Sequence, residues 1–225
     1  MIKNIISILI FTILLFSFKT SKSQENIDLN TNYKVRGKIY EIIDVDDLQN
    51  YALRAKINPI NRIVYEAATI GRKGITIKVY KDTTLTTVYK KDEVLKIGAS
   101  SDTFQYQPDI NYPDFYVDTV VYSRFNPESI IRFAIIEDSL ANNEGNIRYE
   151  IKAIAPLIEE YAANTLLYEK PMFWLNFEEL KQVLSLEPFV SKDNMDGQLK
   201  YDFYFDKRKF VSQTLGNKFR FTDDK

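Results

Sequence analysis

Apolar residues recur along the chain with two periods, and these periods predict the elements. From Ile147 to Ala155, the residues Ile147, Tyr149, Ile151 and Ala153 alternate with Arg148, Glu150 and Lys152. That two-residue repeat predicts an antiparallel strand with one buried face. Branched and aromatic runs predict further extended segments over Tyr33–Ile43, with Val35, Ile39 and Ile43 turned inward, and over Ile75–Tyr80, Phe115–Tyr122, Ile130–Ile136 and Met172–Leu175. Gly71 and Gly74 mark a turn before Ile75, and Leu85–Lys90 is a pairing partner for that strand through a turn at Lys81-Asp82. Asn142–Gly145 has the composition of a hairpin loop.

Helical spacing takes over elsewhere. Leu48, Tyr51, Ala52 and Ala55 fall on one face of a helix predicted over 46–57, capped by Asp46 with Gln49 three residues on and halted by Pro59. Asp92–Ile97 reads as a short helix ending at Gly98. Asn176 caps a third, with Glu179 at the reciprocal position, Phe177, Leu180, Val183 and Leu184 on one face, and a stop before Pro188. Residues 99–114 contain Pro108 and Pro113 and read as loop, while 201–219 fits either helix or strand. The whole predicts one α+β domain over 24–225, mainly an antiparallel sheet with a few helices.

The first residues add a location. Lys3 precedes an apolar run from Ile5 to Phe18, and Ser21-Lys22-Ser23 offers small residues at −3 and −1 of a cleavage site. The run is shorter than the ~20 residues of a membrane span. Residues 1–23 are therefore expected to be a cleaved signal peptide, leaving a mature chain with no membrane anchor of its own. Removing Lys3, Lys19 and Lys22 leaves 27 basic against 31 acidic residues, a charge of about −4. That argues against nucleic acid or an anionic membrane as the main partner.

The chain has no cysteine and no histidine. This removes Ser-His-Asp and Cys-His catalysis, thiolate and imidazole metal sites, disulfides and a lipid-attachment cysteine. Gly71-Arg-Lys-Gly74 lacks the length and ending of a phosphate loop. Asp44, Asp46 and Asp47 suit helix capping better than a cation site. Lys192–Gly197 fails as a calcium loop, because Lys192 stands at the first-ligand position and Phe203 at the last. Glu159-Glu160 and Glu178-Glu179 are sequence neighbours, which point apart on a helix. No cofactor or metal is expected, and a carboxylate-dependent hydrolase could use only acids distant in sequence. The 15 Tyr, 15 Phe and single Trp serve a core, a ligand face or a partner surface. In the tail, Tyr201, Phe203, Tyr204, Phe205, Phe210 and Phe219 mix with Lys207, Arg208 and Lys209, the composition of an interface hot spot.

Several of these segments occur in a familiar order. Ile151–Leu157 (IKAIAPL), Met172–Trp174, the helix through Leu184, and Tyr201, Asp202, Phe205, Arg208, Phe210 and Ser212 at fixed spacing resemble the C-terminal half of the GldN/PorN gliding-motility family. Ile43-Asp44 through Leu48, Lys56–Pro59 and Ile75–Tyr80 are similar to its N-terminal motifs, whereas 99–145 matches none of them. The resemblance implies a non-enzymatic, periplasmic subunit of the type IX protein secretion system of Bacteroidetes. It implies a hetero-oligomeric ring with an outer-membrane lipoprotein of the GldK/PorK type, contact with the motor shaft protein, and attachment to the outer membrane through a partner. Phe173, Trp174, Tyr201, Phe205, Arg208 and Phe210 are then the expected partner-binding residues. A periplasmic carboxylate-dependent hydrolase or small-ligand binding module is the alternative.

Overall fold

The computed structural model describes residues 33–108, 111, 116–162, 165–189 and 199–215. The signal-peptide residues, Phe115, the Lys192–Gly197 segment and Phe219 lie outside them. Within Tyr33–Leu215 the architecture is α+β, mainly antiparallel sheet with few helices.

In chain order the strands are β1 (Lys34–Asp44), β2 (Val79–Tyr80), β3 (Ser100–Tyr106), β4 (Val117–Ser123), β5 (Arg132–Ala141), β6 (Ile147–Ala162), β7 (Thr165–Pro171), β8 (Trp174–Asn176) and β9 (Gln213–Leu215). The α-helices are α1 (Ile60–Thr69), α2 (Lys91–Val94), α3 (Phe177–Leu184) and α4 (Tyr201–Asp206), and 3₁₀ turns cover Leu48–Arg54 and Pro127–Ser129. Seven strands form one sheet in the order β2-β8-β6-β5-β1-β9, with β7 also on β6, and every pairing is antiparallel. Strands β3 and β4 pair only with each other among the described residues.

The β5–β6 hairpin forms where predicted, but without the expected single buried face: Ile147 and Tyr149 are exposed, and Ile151 and Ala153 enter opposite cores. Asn142 makes its turn: the side-chain Oδ1 accepts from the amides of Glu144 (3.1 Å) and Asn146 (2.8 Å), and Gly145 takes φ +86°. Opposite Ile136-Glu137 the register on β6 steps from Ala153 to Ile151, so Lys152 is a bulge residue. Alternation then splits the sheet into two faces. Ile43, Phe133, Ile135, Ile154 and Leu175 meet the helices in the larger core, while Ala134, Ile136, Ala153, Ala155 and Trp174 face the other way under Tyr80 and Leu85.

Three expectations need correction. The predicted 46–57 helix is a short 3₁₀ segment capped by Asp47, not Asp46, with Leu48 92% exposed and a kink at Asn50. Asn50 is the cause: its buried amide donates to Asp44 O (2.7 Å) and Val211 O (2.9 Å) and accepts from Val211 N (2.7 Å), so its side chain bonds the tail instead of leaving the turn free to extend. The longest helix among the described residues begins where the earlier one was expected to stop. Pro59 occupies the N-cap of α1, where its missing N–H costs nothing, and Ile60, Ile63, Val64, Ala67 and Ala68 form the buried stripe. Finally, the expected loop at 99–114 contains β3, whose partner β4 ends at Ser123.

Smaller shifts follow the same logic. Of the three residues of Tyr33–Ile43 expected to turn inward, Val35 is exposed, Ile39 is half-buried and Ile43 is buried. The strand expected over Ile75–Tyr80 is reduced to Val79–Tyr80, but its partner segment is confirmed by Tyr89 N to Val79 O (2.8 Å) and Lys81 N to Thr87 O (2.8 Å). Glu159-Glu160 lies on strand β6 rather than in a helix or loop, and Glu160 pairs with Lys170. Asn176 caps α3 as predicted, accepting from Glu178 N (2.9 Å) and Glu179 N (3.3 Å). The Glu179 carboxylate does not close the capping box. It accepts from Lys78 N (3.0 Å) and Tyr80 OH (3.3 Å), fastening β2 to α3.

Candidate binding site where the C-terminal segment meets the sheet

On the helix-covered face of the sheet, the inward rows change chemistry toward one end. Along β1, Ile43 gives way to Glu41; along β5, Phe133 and Ile135 give way to Glu137. Both acids are buried, Glu41 at 7% and Glu137 at 1% exposure, and buried carboxylates need a counter-charge. Arg208 supplies it to both. Its Nη1 donates to Glu137 Oε1 and its Nη2 to Glu41 Oε2 (3.0 Å). Ser212 Oγ adds a second bond to Glu41 Oε2 (2.6 Å), and Thr214 Oγ1 reaches Glu41 Oε1 (3.4 Å).

Local sequence explains how Arg208 arrives there. Helix α4 ends with Arg208 in the left-handed region at φ +44°, and the Lys209 amide returns to Tyr204 O (3.0 Å). This reversal sends Phe210 back into the core, 5.5 Å from the Phe205 ring, and turns the guanidinium over the sheet. The guanidinium also lies 5.2 Å from the Phe210 ring and 5.6 Å from Tyr149.

Beside this cluster is a pocket of about 300 Å³, lined by Lys38, Tyr40, Tyr149, Thr214 and Leu215 together with the two acids and the arginine. Burial pushes the Glu137 carboxyl above its usual range; Arg208 pulls it down and Glu41 pushes it up, but desolvation dominates. Glu137 Oε2 has no hydrogen-bond partner among the described residues. Both carboxylates are engaged by one shared cation, a geometry for fastening chain to sheet.

The six residues expected to bind a partner are placed as follows. Phe173, Trp174, Tyr201, Phe205 and Phe210 are buried, each at 7% exposure or less. Tyr201, Phe205 and Phe210 share one cluster with Phe173, whereas Trp174 points to the opposite face of the sheet. Tyr201 OH lies 3.1 Å from Ala52 O and 3.0 Å from Asn58 O, which locks the tail onto the segment before α1, and burial pushes its phenol well up. Phe205 meets Phe177 edge-on at 5.6 Å. Arg208 alone of the six reaches solvent, its side chain 35% exposed.

Glu41, Glu137 and Asn50 complete this arrangement and were missed in the sequence. The available signal was an acid at an inward position of an otherwise apolar strand, since such residues are rarely buried unpaired. Asp44 and Asp47 accept from the amides of Asp46 and Gln49 (2.8 Å each), and Asp46 pairs with Arg54.

The spaced residues Tyr201, Phe205, Arg208, Phe210 and Ser212 thus form one clasp that holds the C-terminal segment against β1, β5 and the 3₁₀ turn. A family model described as gliding motility associated protein GldN matches residues 30–216, a span that contains the whole clasp and the pocket. No curated protein matches the chain. The chain belongs to the GldN family of gliding-motility-associated proteins.

Proposed function

We propose that the chain is a non-enzymatic periplasmic component of the type IX protein secretion and gliding-motility machinery, and that it binds an outer-membrane ring lipoprotein of the GldK/PorK type. The observation that carries this reading is the family match across residues 30–216. The leader-like N-terminus supports a periplasmic location, and the acidic balance favours protein partners over nucleic acid. In this reading the chain takes its place at the outer membrane from that partner. The clasp then has a defined part: it keeps the C-terminal segment seated so that the outer surface of the sheet and helices is presented in one shape. A hydrolase has weaker support, because Glu41 and Glu137, though they line the pocket, are both engaged by Arg208.

Deletion of the gene in its host, with fractionation of the tagged chain, tests the proposal. Loss of surface gliding and of protein secretion, with the chain recovered in the periplasm, is expected. Normal gliding and secretion, or recovery of the chain in the cytoplasm, would overturn it.

A further inference from the structure

Strands β3 and β4 stand apart from the rest of the molecule. Each has seven residues, none of them buried, and among the described residues no third strand pairs with either. A two-stranded ribbon without a packed face is marginal in water. Its base is nevertheless fixed. Gly98 takes φ +72° against the Phe125 ring, so close that an added Cβ would lie 2.5 Å from Phe125 Cδ2, and Phe125 in turn packs 5.5 Å from Tyr65 on α1.

The register gives the ribbon two different faces. Asp102, Phe104 and Tyr106 share one face with their cross-strand partners Val121, Thr119 and Val117; Ser101, Thr103 and Gln105 share the other with Tyr122, Val120 and Asp118. Phe104 and Tyr106 are 55% and 51% exposed, and Val121 is 45% exposed. The outer edge of β3 therefore carries Asp102, Phe104 and Tyr106 on one side and Ser101, Thr103 and Gln105 on the other, and no strand pairs with its backbone there among the described residues. Natural edges are guarded by lysine or proline. Neither strand has one; the only charges are Asp102 and Asp118.

We infer that the β3 edge accepts an extended segment of a partner protein, added as a third antiparallel strand with apolar side chains beside Phe104 and Tyr106 and a lysine or arginine beside Asp102. Charge selects this occupant. A second ribbon has no lysine or arginine to set beside Asp102, and an anionic lipid surface would meet no basic side chain on either strand. Backbone pairing supplies affinity and the alternating side chains supply selectivity. The inference rests on the ribbon alone and does not require the partner to be the ring lipoprotein.

Fluorescence anisotropy with the purified chain and two synthetic nine-residue peptides tests it. Both peptides alternate valine and threonine; one carries a lysine at the position facing Asp102, and its twin a glutamate. The lysine peptide is expected to bind at least about tenfold more tightly, Asp102→Lys to reverse the preference, and Phe104→Ser to weaken binding about tenfold or more. Phe104→Ser should leave the melting temperature unchanged, because that side chain packs on no core. Equal binding of the two peptides, binding of neither, or a lowered melting temperature would overturn the inference. So would a concentration-dependent dimer or binding to anionic vesicles that Phe104→Ser abolishes, which would give the face to a second copy or to lipid.

Discussion

Arg208 is the residue on which the C-terminal segment depends most. Truncating it leaves Glu41 and Glu137 facing each other without a counter-charge, the costly way to break a buried ion pair. Arg208→Ala is expected to lower unfolding free energy by about 2–3 kcal/mol in urea titration, below the full buried-pair cost because the guanidinium is 35% exposed. Glu137→Gln keeps the shape and a hydrogen-bond acceptor, so its cost should stay under about 1 kcal/mol. The pair also sets a pH dependence. The Glu137 carboxyl is raised above 4.5 in the fold by burial, with Glu41 adding to the shift and Arg208 opposing it. The folded chain therefore holds this proton more tightly than the unfolded one. The contribution of Glu137 to stability is complete below its unfolded pKa and is lost as pH rises through the folded value. Thermal melts from pH 4.5 upward should show this fall in the wild type and not in Glu137→Gln. The spacing of Tyr201, Phe205, Arg208, Phe210 and Ser212 was legible in the sequence, but its use was not. Aromatics beside arginine fit an interface and a core equally well, and the deciding acids lie on strands far away in sequence.

At the scale of elements, local signals succeeded where burial and capping agreed. The Asn142 turn marked the β5–β6 hairpin and Asn176 marked the start of α3, whereas the bulge at Lys152 sends Ile151 and Ala153 of the predicted stripe to opposite faces. Asn176→Ala is expected to cost about 1 kcal/mol, since two amides of the first turn lose their acceptor. Gly98→Ala forces a left-handed backbone and a collision with Phe125, so it should destabilise the base of the ribbon by about 1–3 kcal/mol. Hydrogen exchange would show that loss as faster exchange across β3 and β4 while β5 and β6 stay protected. The failures have physical causes too. The helical spacing of Leu48, Tyr51, Ala52 and Ala55 was real, but the buried Asn50 amide ties the turn to Val211 and keeps it a 3₁₀ segment. Strand β3 (SSDTFQY) escaped notice because a ribbon open to water on both faces needs no regular alternation.

At the scale of the whole molecule, the expected interface residues and the exposed apolar ones are different sets. The family-like motif positions of the tail are mostly core, whereas Phe104, Tyr106 and Tyr122 on the ribbon and Tyr161, Leu167 and Tyr168 on the β6–β7 arm face solvent. A subunit of an assembly needs both: a closed body that keeps its shape, and apolar surface left for neighbours. The fold class was legible because strand and helix periods are local. The surface was not, because exposure depends on which strands pair, and the residues of β3 fell in the 99–114 stretch that reads as loop. The claim that this member of the GldN family is an assembly component is tested most directly by co-purification. The tagged chain, purified from its host's periplasm, should retain the outer-membrane ring lipoprotein in a stoichiometric complex that withstands gel filtration. A folded chain that elutes alone, with the lipoprotein present in the same extract, would contradict the account.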